Sequence, residues 1–139
     1  MKHLISSLLL FFLSALILSS SEPSRTIRIL VITGGHGFNN EEFNNMLSDM
    51  APEISYQVAE LPEAFNMFIP ENRDKFDVLV FYHMWQTITD DQARNFADCI
   101  SEGKPVLALH HSICAFDDWP EYGNIIGGKS FHTPTTFKA

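Results

Sequence analysis

Three stretches of the chain, Thr26 to Thr33, Asp77 to Tyr82 and Pro105 to Leu109, are apolar almost without a break and only five to eight residues long. Runs this short, with no apolar–polar alternation, suit strands buried on both faces, as in parallel sheets. Parallel neighbours need crossover segments, and the residues between the runs supply them. Asn39 stands three residues before Glu42, a variant of the capping-box spacing, and Phe43, Met46, Leu47 and Met50 then recur at helical intervals. This predicts a helix over 40–51, ended by Pro52. Thr89 and Gln92 repeat the box spacing, with Ala93, Phe96, Ala97 and Ile100 on one helix face and Gly103 placed to end it. Ile54 to Ala59 reads as a further short strand. Leu61 to Asp74, punctuated by Pro62 and Pro70, reads as a loop with a short helical turn. Asp118 is a candidate cap for a third helix, with Trp119 or Pro120 in its first turn and Gly127-Gly128 at its end. Strands alternating with helices define an α/β class, an open parallel sheet flanked by helices.

The first 21 residues read differently. Lys2 and His3 precede an apolar run from Leu4 to Leu18, and Ser19, Ser20 and Ser21 follow. A basic start, an apolar core and small residues at a cleavage site are the parts of a signal peptide, and the run is short for a membrane span. The expectation is removal near Ser21–Glu22, a polar lead-in over residues 22–25, and a secreted or periplasmic chain with no membrane association after cleavage. Of 139 residues, 118 then remain. The segment holds Lys2 and no acid, so eight basic residues face 17 acidic ones, a net charge of −9. Such a surface is a poor partner for nucleic acid or anionic lipid, which need Lys/Arg stripes. An apolar content of 45 % excludes a disordered chain. Export would let Cys99 and Cys114 pair, closing a loop of about 15 residues worth at most ~3 kcal/mol, and the sequence leaves the pairing open.

Four histidines lie just past the ends of strands: His36 after the first run, His83 after the third strand, and His110 with His111 after the fourth. In open α/β sheets, ligands bind outside the carboxyl ends of the strands, so the topology would gather these imidazoles on one rim. Imidazole serves as a general acid/base and as a metal ligand. The spacings match no zinc signature, which favours acid/base work or hydrogen bonding to a polar substrate over a metal. Gly34-Gly35-His36-Gly37 suits either a tight turn or close backbone approach to an anion, and it lacks the further glycines of the dinucleotide fingerprint. Trp119, Tyr122, Phe116 and Tyr82 could form a stacking wall for a sugar ring, although aromatic residues serve more often as core. Cys114 could act as a nucleophile beside a histidine, and a structural thiol is the commoner role.

Thr33 to Phe38, Phe81-Tyr82, Leu107 to His111, the stretch from Trp119 to Gly128 and Phe131-His132 together resemble the trehalose-utilisation (ThuA-like) family over about Thr26 to Pro134. The Trp-Pro-Glu-Tyr to Gly-Gly stretch is the most specific part. The resemblance implies a class I glutamine-amidotransferase-like, flavodoxin-like fold and a link to carbohydrate metabolism, with a trehalose-type or oxidised sugar as partner. In amidotransferases of that fold, the strand corresponding to Pro105–Leu109 ends at a nucleophilic cysteine. Here His110 stands at that elbow and Cys114 follows four residues later, which argues against Cys-dependent glutamine hydrolysis. The family places a small residue next to its elbow histidine, where this chain has His111. Its members also continue past the Phe131–Pro134 region, so residues 26–139 are expected to be the N-terminal portion of the domain.

Under this reading His36 and His110 are the acid/base pair, and Gly35, His83, His111, Trp119, Glu121 and His132 contact substrate. Proton transfer beside a carbonyl is the chemistry such a set suits. The competing expectations are a sugar-binding module without turnover and an inactive truncated fragment. Neither the residues nor the resemblance names a cofactor or an oligomeric state.

Overall fold

A computed structural model describes residues 25–130. The expected export signal and all but the last residue of the polar lead-in lie outside those residues, as does His132. The described chain runs β1 (Ile27–Gly34), α1 (Asn40–Ser48), β2 (Ile54–Glu60), two 3-10 helices (Glu63–Met67 and Pro70–Lys75), β3 (Val78–His83), α2 (Asp90–Ser101), β4 (Val106–Ala108), a 3-10 helix (His110–Cys114) and α3 (Pro120–Ile126).

All four strands pair in parallel, in the order β2-β1-β3-β4. This is the open α/β sheet expected from the apolar runs. Alternation along the strands builds two layers. Leu30 and Ile32 of β1 and Leu79 and Phe81 of β3 point to one face, where Phe65, Phe68, Phe96, Cys99 and Tyr122 cover them. Ile29, Val31 and Val80 point to the other, against Leu47 and Phe43 of α1. The first layer is rich in aromatic contacts, with Phe96 stacked on Phe68 at 5.2 Å and edge-on to Phe81 at 5.3 Å.

Polar clamps hold the amino edge and the connector. Asp77 accepts hydrogen bonds from Arg28 Nε (3.0 Å), Arg28 Nη2 (2.8 Å) and the Arg28 backbone N–H (2.9 Å), tying the start of β1 to the start of β3. The buried Arg73 donates to the Phe68 carbonyl at 2.7 Å and pairs with Glu102, joining the connector to the end of α2.

Helix starts follow the capping signals. Asn39 accepts from the Glu42 N–H, and Thr89 and Gln92 form a complete capping box. Three local expectations are corrected. α1 stops at Ser48 because the Met50 and Ala51 N–H groups turn back to the Leu47 and Ser48 carbonyls as a tight turn. Asp118 does not cap α3: Pro120, with its preset φ and missing N–H, takes the first helical position, so Trp119 becomes the cap without a side-chain bond. The stretch after β2 forms two 3-10 helices, one opening just after Pro62 and one at Pro70.

Candidate functional site

The strand order reverses between β1 and β3, because the chain leaves β1 toward β2 on one side and passes from β3 to β4 on the other. A crevice therefore opens at the carboxyl ends of these two strands, where open α/β sheets bind ligands.

The turn after β1 enters this crevice through Gly34 (φ +135°) and Gly35 (φ +80°). The Met84 N–H donates to the Gly34 carbonyl at 3.0 Å, and a Cβ on Gly35 would lie 1.8 Å from the Met84 oxygen. Only glycine permits that approach, so the observed part played by Gly35 is to seat the turn. The turn delivers His36 to the rim. From the other side, β4 ends at Ala108, and after Leu109 the chain bends sharply at His110, the first residue of the 3-10 helix, which adopts φ +54°. A non-glycine residue in this region costs energy and is held only when its surroundings fix it. Ser112 does so. Its buried hydroxyl lies 2.9 Å from the Phe81 carbonyl and 2.7 Å from that of Leu109, while its own carbonyl accepts from the Tyr122 hydroxyl at 3.0 Å. Ser112 is a positioning residue that sequence reasoning missed. A serine one turn into a segment after a strand carries no signal until the elbow is known.

Three imidazoles and a phenol meet at this edge. His110 and His111 stack with centroids 3.8 Å apart, and His36 lies 5.7 Å from the first and 6.1 Å from the second. Tyr82 stands edge-on to His36 at 4.9 Å and 5.8 Å from His110. Behind them, Phe38 and Phe43 pack on Tyr82 at 5.2 and 5.0 Å, giving the cluster an apolar wall. His36 Nε2 is buried without a hydrogen-bond partner among the described residues. Beside His36, a polar cleft of about 230 Å³ runs past Thr33, Asn40 and Glu60. Desolvation, reinforced by the neighbouring His110 and His36, pushes the His111 pKa down and favours its neutral form.

Other expected site residues are not part of this cluster. His83 follows Tyr82 on β3 and so points to the opposite face. It is fully buried against Phe81 (4.9 Å), Phe116 (5.2 Å) and Tyr122 (6.4 Å), and neither ring nitrogen has a hydrogen-bond partner among the described residues. Burial, with a smaller push from His36, lowers its pKa to about 4. Trp119 packs on Phe96 at 5.5 Å and Tyr122 at 6.2 Å, at the edge of the core. Glu121 is exposed on α3 and lines a groove with Asp90, Ala93 and Arg94 of α2. Cys99 and Cys114 are both buried free thiols, and burial pushes the Cys99 thiol up to about 11. Among the described residues, no group of three or more His, Cys, Asp or Glu side chains is arranged to hold a metal ion. No helix among them is long and apolar enough to cross a membrane.

No family model, curated protein or solved structure matches the chain. Fold and site therefore stand on geometry: a four-stranded parallel α/β sheet of flavodoxin-like type, with a histidine cluster at its switch point.

Proposed function

We propose that this chain is an exported relative of the trehalose-utilisation (ThuA-like) family that binds a small carbohydrate at the histidine rim and moves protons beside its carbonyl group. The observation that carries this reading is the convergence of His36, His110 and His111 with Tyr82 at the strand-order reversal. His36 and His110 are the proton-transfer pair. A neutral imidazole takes the proton from the carbon beside the carbonyl, and a protonated one donates to the carbonyl oxygen, giving an enediol. Return of a proton to the former carbonyl carbon, while the imidazole that gave up its proton takes one from the other enediol hydroxyl, completes an isomerisation. His111, held toward its neutral form, orients a hydroxyl, as does Tyr82. A cysteine-dependent amide hydrolysis fits poorly, because the elbow residue is His110 and the Cys114 thiol is buried one turn beyond it.

The test is solvent-proton exchange. The purified chain is mixed with a panel of aldose and ketose sugars in deuterated water, and exchange beside the carbonyl is followed by NMR. Exchange is expected with at least one sugar, and His36→Ala or His110→Ala should slow it by about 100-fold or more. Exchange that neither substitution changes would overturn the reading. Sugar binding without exchange would reduce the protein to a non-catalytic carbohydrate-binding module.

A further inference from the structure

A second cleft, of about 390 Å³, opens beside the rim between the segment after β3 and the segment after the 3-10 helix His110–Cys114. It is lined by Trp85, Gln86, Thr87, Cys114, Asp117 and Asp118. We propose that it is a second carbohydrate subsite, specific for a sugar ring that carries no negative charge. This rests on the carbohydrate reading of the rim and names the kind of sugar the protein takes.

Four observations support it. The cleft lies next to the turn that carries His36: Gly35 is seated against Met84 and the Gln86 side chain, and the Phe116 N–H donates to the Gln86 carbonyl at 2.9 Å, joining the two segments that form the cleft. Trp85 presents a wide flat surface, 62 % exposed. Such a ring suits the C–H face of a pyranose, since it is apolar in the middle and polar at one tip. Asp117 and Asp118 bring carboxylate acceptors for hydroxyl groups to the lining, and Thr87 and Gln86 add a hydroxyl and an amide to the same cleft. The Gln86 amide nitrogen is already engaged on the Met84 carbonyl at 3.0 Å. Finally, no Lys or Arg among the described residues lines the cleft. The nearby Lys129 donates to the Asp117 backbone carbonyl at 3.1 Å and lines a separate groove with Pro120 and Gly123. An acidic sugar would meet two carboxylates in a cleft whose described lining carries no cation, with the Lys129 ammonium directed to the Asp117 carbonyl, which is selection by repulsion.

The full chain is titrated with methyl α-glucoside and, separately, with glucuronate. The Trp85 indole N–H signal reports the cleft, and the His36 and His110 ring signals report the rim. Methyl α-glucoside is expected to shift the Trp85 signal, and glucuronate to bind about tenfold more weakly or worse. Trp85→Ala should weaken methyl α-glucoside binding by about tenfold, in a protein whose amide spectrum shows the fold intact. The double variant Asp117→Asn/Asp118→Asn should narrow the gap between the two sugars. Glucuronate binding as tightly as the glucoside would overturn the proposal, as would unchanged affinity in Trp85→Ala. Rim signals that move while Trp85 stays still would reject the cleft and leave the rim reading standing. Silence at both places with every sugar would reject both.

Discussion

His83 ties the stability of the fold to pH, because its imidazole is fully buried in the core. It is enclosed by Phe81, Phe116 and Tyr122, and among the described residues the ionisable groups facing it are His36 and the Tyr122 phenol, whose own pKa burial raises. Its pKa falls from 6.5 to about 4, so the unfolded chain takes up the proton first as pH drops. The stability held by neutral His83 is complete above about 6.5 and is lost as pH falls toward 4. Urea unfolding at pH 7 and pH 4.5 should therefore differ by about 2–3 kcal/mol. His83→Leu should remove most of that difference, and an unchanged pH dependence would refute it. Asp77 acts in a separate, lower window. Hydrogen bonds from Arg28 hold its carboxyl below the usual range, so its share is lost only in stronger acid. The residue type and position of His83 were legible in the chain, but its direction was not. A histidine at a strand end reaches the rim or the core according to the parity of its position, and β3 assigns Tyr82 to the rim and His83 to the core.

Among the elements, α2 shows how much of a helix is written locally. Thr89 Oγ1 accepts from the Gln92 N–H at 3.3 Å, and Gln92 Oε1 accepts from the Thr89 N–H at 2.9 Å. Asp90 and Asp91 add negative charge to the first turn, where the helix dipole favours it. Thr89→Ala should cost about 1 kcal/mol and lower the melting temperature by roughly 4 °C, measured by circular dichroism. No loss would show that packing alone sets this helix start. The box was legible because both partners lie within one turn. The start of α3 was misread by one residue because Asp118 and Pro120 compete to define it, and the rigid proline ring prevails over a side-chain hydrogen bond. The connector after β2 resisted reading because its prolines mark starts without indicating how many turns follow.

At the scale of the whole molecule, the two sheet faces differ in how they are covered. Leu79 is fully buried under Phe-rich packing, whereas Leu107 of the edge strand β4 points to the opposite face and is 51 % exposed. Leu79→Ala should cost about 3 kcal/mol, and Leu107→Ala less than about 1 kcal/mol, measured by urea unfolding. Equal costs would mean that the second face is buried in solution. Taken alone, the sequence determined the α/β class, the strand-forming runs, the helix starts and the loops that carry histidines, because periodicity and capping act over a few neighbouring residues. Tertiary structure decided which of those histidines meet. His36, His110 and His111 come together because the order β2-β1-β3-β4 places the ends of β1, β3 and β4 along one edge. The same register turns His83 inward, draws Trp119 toward the core and opens the Trp85 cleft beside the rim. Strand order and strand parity are properties of long-range pairing, and no local pattern in the chain encodes them.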